Sequence, residues 1–201
     1  LSLSGKNPPN LDSVHYRLVK DFPSARMIHR LDLGTSGIMV LALSKTANTH
    51  LCEQFTNRTV SKIYTALLDG QLDQEQGIID IPMIKDEENF PYQKVCYVTG
   101  KSSQSAYQVL EYLPEHDASR VKFTPITGRT HQLRAHMAEL GHPIIGDGKY
   151  GGSSQYNQGE GWGSALGDDI SKKMHLHARS LTIQHPTTGK EMLFLAPMPD
   201  H

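Results

Sequence analysis

An acid sits two residues after an arginine at the head of a turn in His29-Arg30-Leu31-Asp32-Leu33-Gly34-Thr35-Ser36-Gly37. A carboxylate there can serve as a nucleophile or as a general base. Asp followed by Gly, Thr and Ser is also ordinary turn chemistry, and both roles stay open on these residues alone. The next stretch, Ile38-Met39-Val40-Leu41-Ala42-Leu43, is an unbroken apolar run that predicts a buried strand over residues 38–43. Asp32 is therefore expected in a loop anchored on the core, a common place for a reacting side chain. Strand-like alternation turns Arg30 and Asp32 to one side and Leu31 to the other.

Three further segments stand in a set order. Lys62-Ile63-Tyr64-Thr65-Ala66-Leu67-Leu68 reads as a strand, and Tyr64 offers either a core aromatic or a flat face and a phenol for a base. Ile126-Thr127-Gly128-Arg129-Thr130-His131-Gln132-Leu133-Arg134-Ala135-His136 passes from a loop into an amphipathic helix predicted over 130–140. On that helix Leu133, Met137 and Leu140 form the apolar stripe while Thr130, Arg134 and Ala138 share a neighbouring face. Arg134 is thus expected at the margin of the core, either half-buried in an ion pair or on a solvated flank. Gly141-His142-Pro143-Ile144-Ile145-Gly146-Asp147 completes the series. Gly37 and Gly128 read as backbone requirements.

In this order the four segments resemble the RluA-type family of pseudouridine synthases. Leu176-His177-Ala178 and His185-Pro186 continue the match, so the resemblance covers roughly residues 26–199. It implies an enzyme that isomerises uridine in structured RNA, with Asp32 acting at the ribose and no cofactor. It assigns Arg134 as the guanidinium that keeps Asp32 ionised and oriented through parallel hydrogen bonds. By the same resemblance Tyr64 stacks on the target base, and Arg30 fills the space that base leaves in the RNA. His29, Lys62, Arg129, His131 and Gln132 are expected RNA contacts. Gly34 departs from the pattern, where a charged or polar residue is usual. The C-terminal segments look most like members acting on large-subunit ribosomal RNA, with the anticodon arm of tRNA as the runner-up. Two rival classes are a non-catalytic RNA-binding module and a carboxylate-dependent glycoside hydrolase. The second needs another acid, for which Asp147 is the only motif-borne candidate.

Length and composition bound these readings. At 201 residues the chain can bury one sizeable core, and a single catalytic domain and a monomer are expected. Cys52 and Cys96 give no disulfide framework and suit a reducing cytoplasm. No apolar stretch reaches membrane length. The formal charge of −1 counts mildly against a broad nucleic-acid surface. Arg26, Arg30, Arg58, Lys62, Arg129, Arg134 and Lys149 nevertheless gather around the motifs, as a local basic cleft requires. Eleven histidines are many, yet the pair His175 and His177 lacks the further ligands a zinc site needs, and no metal site is expected.

A helix is predicted over 46–58, with Leu51, Cys52 and Phe55 inward. Strands are predicted over 62–69, 77–83, 92–98, 104–112, 119–125, 176–184 and 191–195. Many strands with few helices imply an α+β domain built on a mixed, mostly antiparallel sheet flanked by helices. Residues 1–10 read as an irregular lead-in, with the family's first strand and any auxiliary RNA-binding domain absent. Residues 146–167 hold eight of the seventeen glycines and predict a mobile surface loop.

Overall fold

The computed structural model describes residues 13–152 and 174–199. Within them the chain forms two compact units, one taking in the described residues up to 62 together with 178–197, the other the described residues between 63 and 177.

The first unit begins with helix α1 (Val14–Asp21), capped by the Ser13 hydroxyl, which accepts from the Tyr16 N–H. Val14 and Leu18 stand one turn apart on one face of this helix, yet none of its residues is fully buried. Two-residue strands follow, β1 (Arg26–Met27), β2 (Ser36–Gly37) and β3 (Leu41–Ala42). The apolar run over 38–43 is therefore not one strand. Only Leu41 and Ala42 pair, antiparallel to Met27 and Arg26. Its other aliphatic side chains are still used, because Ile38 and Val40 pack against a core of Ala42, Leu51, Val60, Leu181 and Ile183. Helix α2 (Lys45–Thr56) supplies Leu51, and its buried Gln54 bonds like a strand partner. The Gln54 amide donates to the Gln184 carbonyl at 2.8 Å and accepts the Gln184 N–H at 2.8 Å. Strand β11 (Glu191–Leu195) runs antiparallel to the C-terminal part of β10 (Leu176–Gln184).

The second unit is built on antiparallel pairing. Strand β4 (Ser61–Asp69) pairs β9 (Ala118–Pro125), β9 pairs β8 (Gln104–Leu113), and β8 pairs β5 (Gln76–Asp80). A separate hairpin joins β6 (Met83–Lys85) to β7 (Gln93–Val95), so the predicted strands over 77–83 and 92–98 are shorter and partly divided. Helix α3 (Gln132–Glu139) lays Leu133 and Met137 into a core with Ala66, Leu68, Ile79, Val121, Phe123 and Ile144. The result is the expected α+β architecture, with a largely antiparallel sheet and few helices.

Helix α3 departs from the stripe expected of it. Gln132 through Met137 are all buried, while Leu140 is 45% exposed. The loop predicted over 146–167 also differs where it is described, since Gly146, Asp147 and Gly151 are buried; residues 153–167 lie outside the described residues.

Candidate active site

Asp32 occupies a turn held at both ends. The Thr35 N–H donates to the Asp32 carbonyl at 3.0 Å, with Gly34 at φ +91 in the third position of the turn. Glycine takes up a positive φ in that place without strain. Beyond the turn, Ile38 N–H donates to the Ala178 carbonyl at 3.0 Å. The chain approaches so closely there that a Cβ on Gly37, itself at φ +110, would stand 2.2 Å from the Ala178 oxygen. The half-buried Asp32 is thus presented on a backbone with little freedom, and Arg30 beside it is exposed.

His29 and Lys62 come together around Phe55. The His29 ring stacks on Phe55 at 4.7 Å and 21°, and its Nε2 accepts the Val40 N–H at 3.0 Å. Nε2 therefore carries no proton and the ring is neutral. Burial pushes its pKa down to about 4, and the charge of Lys62 adds to the push. The Lys62 ammonium stands 6.0 Å from the centre of the Phe55 ring, and burial lowers its pKa too. His29 was grouped with the RNA contacts, yet its ring has a structural task of its own.

In the second unit Tyr64 lies on β4, paired with Phe123 and packed against the core cluster that holds Leu133 and Met137. Arg134 is not at the margin of the core. It is 1% exposed and forms a bidentate pair with Asp147, itself 0% exposed, through Nε to Oδ2 at 2.7 Å and Nη2 to Oδ1 at 2.8 Å. Asp147 therefore orients this guanidinium, a role that charge and position in a glycine-rich segment conceal. The same Oδ1 accepts the N–H groups of Lys149 at 3.0 Å and Tyr150 at 3.2 Å. Tyr150 lays its ring 5.1 Å from the Arg134 guanidinium carbon.

Gln132 needs a correction. Its side chain is 4% exposed, and its oxygen accepts from the Thr127 hydroxyl at 2.7 Å and the Arg129 N–H at 3.0 Å. Its amide nitrogen donates to the Gln104 carbonyl at 2.9 Å and the Ser105 hydroxyl at 2.7 Å. With every amide position used, Gln132 holds the loop ahead of α3 and has nothing left to offer RNA. Arg129 is half-buried and its Nε donates to the Ser102 carbonyl at 3.2 Å. His131 opens α3 in the left-handed region, at φ 54. His175 and His177 are both buried, and among the described residues no three His, Cys, Asp or Glu side chains are grouped to hold a metal ion. No described helix is long and apolar enough to cross a membrane.

A family model for RNA pseudouridylate synthases matches residues 13–139. The chain belongs to the RNA pseudouridylate synthase family. Among relatives of that family it is similar to "Dual-specificity RNA pseudouridine synthase RluA" of Yersinia pestis, 45% identical over 96% of this chain and 88% of that protein. The protein of the same description from Escherichia coli K12 is 44% identical over 98% of this chain and 84% of its own length. Among solved structures, "Human RNA Pseudouridylate Synthase Domain Containing 1" superposes with a TM-score of 0.76 at 31% identity, covering 99% of this chain and 78% of that one. These matches uphold the resemblance drawn from the four motifs and exclude a glycoside hydrolase.

Proposed function

We propose that this chain, acting as one catalytic domain in the cytoplasm, isomerises specific uridines to pseudouridine both in large-subunit ribosomal RNA and in the anticodon arm of tRNA. Support for two substrates comes from relatives described as dual-specificity synthases that match nearly the whole chain. The observation that carries the chemistry is Asp32 on a turn pinned by Gly34 and Gly37. The reaction breaks the ribose C1′–N1 bond and forms C1′–C5, while C5 loses a proton and N1 gains one. Atoms and electrons balance within the nucleotide, so no redox cofactor is called for.

Asp32 supplies the carboxylate that acts at the ribose, as nucleophile or as base. Tyr64 supplies the stacking face for the base, Arg134 the guanidinium of the catalytic set, and Arg30 the group that enters the RNA stack. Lys62, Arg129 and His131 serve the RNA around them. Extracting a base from its stack costs a few kcal/mol, less in loops and bulges, which fits an anticodon arm.

Asp32→Asn tests this reading, because the amide keeps the shape and can be neither nucleophile nor base. The variant should fold and bind a stem-loop RNA like the parent but form no pseudouridine, a loss of at least about 10³-fold in a single-turnover tritium-release assay. Turnover by the variant within tenfold of the parent would refute the assignment.

A further inference from the structure

We infer that Tyr150 is a positioning residue for Arg134, and that its hydroxyl ties the β6–β7 hairpin to the head of α3. The inference rests on the function proposed for this site. Asp147 holds one edge of the guanidinium through the two bonds already described. The guanidinium carbon stands over the face of the Tyr150 ring, 5.1 Å from its centre, at cation–π range. Asp147 also builds the support for this ring. The oxygen that receives Arg134 Nη2 receives the Tyr150 N–H as well, so the guanidinium and the aromatic face are referenced to one carboxylate atom.

The phenol fixes the far end of the ring. Its oxygen accepts the N–H of Gln93, the first residue of β7, at 2.9 Å, and stands 2.7 Å from Nδ1 of His131. A backbone N–H can only donate, so the phenol oxygen accepts from Gln93; between the phenol and Nδ1 the donor is set by the His131 tautomer. Tyr92, also from the hairpin, packs edge-on against the ring at 5.4 Å. His131 adds an independent sign of constraint. A non-glycine residue at φ 54 sits in the sparsely populated left-handed region, and such a conformation persists only where its surroundings dictate it. The Tyr150 hydroxyl contacts that ring, and the two rings meet edge-on at 5.5 Å. Asp147, Tyr150 and His131 thus make a clamp, and the hydroxyl touches both the hairpin and the head of the helix.

A tyrosine that merely filled space would lose little on becoming phenylalanine, which keeps the ring and its cation–π face. For a positioning residue, Tyr150→Phe should lower kcat about tenfold while KM for the RNA stays within about twofold, the mark of an interaction used in the transition state. In an Arg134→Lys background, where the fork is already gone, the same change should cost less than about twofold. Parental kcat in Tyr150→Phe, or an equal loss in both backgrounds, overturns the inference.

Arg134 is buried, and Arg134→Lys can fail to fold, so a second measurement needs neither that variant nor RNA. The Arg134 Nε–H signal in a nitrogen–proton correlation spectrum should exchange with water at least about tenfold faster in Tyr150→Phe than in the parent. Equal exchange refutes the clamp. A parent that exchanges slowly but forms no pseudouridine on either RNA would instead defeat the proposed function and leave the clamp standing.

Discussion

At the scale of single residues, burial keeps the His29 imidazole neutral and so links this loop to pH. In the unfolded chain His29 takes up a proton near its ordinary pKa of 6.5, whereas in the folded chain it does so only near 4. Between those values the unfolded state binds more protons, so the contribution of His29 is whole above about pH 6.5 and is lost as pH falls toward 4. His136, buried with Nε2 bonded to the Ile81 carbonyl at 2.8 Å, is pushed down by burial in the same direction. His29→Gln should be less stable than the parent at pH 7.5, since it forfeits the stack on Phe55. The gap should shrink by about 1–2 kcal/mol at pH 5, because glutamine has no proton to take up. Urea midpoints of the two proteins at both pH values check this, and a gap that does not change with pH would contradict it. The acid sensitivity of His29 was not readable in its motif. What lowers the pKa is burial and the charge of Lys62, both brought about by folding.

At the scale of elements, glycine positions divide according to what the chain meets. Gly37 combines φ +110 with the Ala178 backbone lying where a Cβ would go. Gly189, in the turn between β10 and β11, has φ +68 and nothing within 4 Å of a built Cβ. Gly37→Ala should therefore cost at least about 3 kcal/mol, from clash and strain together, and displace β2 from β10. Gly189→Ala should cost only about 1 kcal/mol, from strain alone. Denaturant titration of the two variants decides the matter, and equal costs would show that the approach at Gly37 is not rigid. Most elements could be read from apolar periodicity, because alternation and helical spacing are local. The exceptions are informative. The 38–43 run divides because only Leu41 and Ala42 find a strand partner, and α3 escapes its stripe because it is enclosed on most sides. Enclosure is a property of neighbours, not of spacing.

For the whole molecule, 20 basic and 21 acidic side chains leave a formal charge of −1, so RNA binding cannot rest on a general basic surface. It must rest on a few local cations and on contacts to extruded bases. The affinity for a stem-loop RNA should therefore fall with salt at a log–log slope of about −3 to −4, the release expected from a handful of phosphate contacts. A slope beyond about −7, measured by filter binding between 50 and 300 mM salt, would point to an extended electrostatic surface instead.

The sequence by itself determined the family, the order of most elements and the carboxylate at the centre of the proposed chemistry, because motifs are contiguous and their turn residues announce themselves. His29-Arg30-Leu31-Asp32 and Gly128-Arg129-Thr130-His131-Gln132-Leu133-Arg134 required no folding to be recognised. Tertiary structure alone decided which partners those residues keep. Arg134 is bound to Asp147, thirteen positions away, and Gln132 is spent on Thr127, Arg129, Gln104 and Ser105. A charged or amide side chain looks solvent-bound in a sequence, since burying it unpaired is costly; only when the chain closes can a fully satisfied partner remove that cost and take the group out of reach.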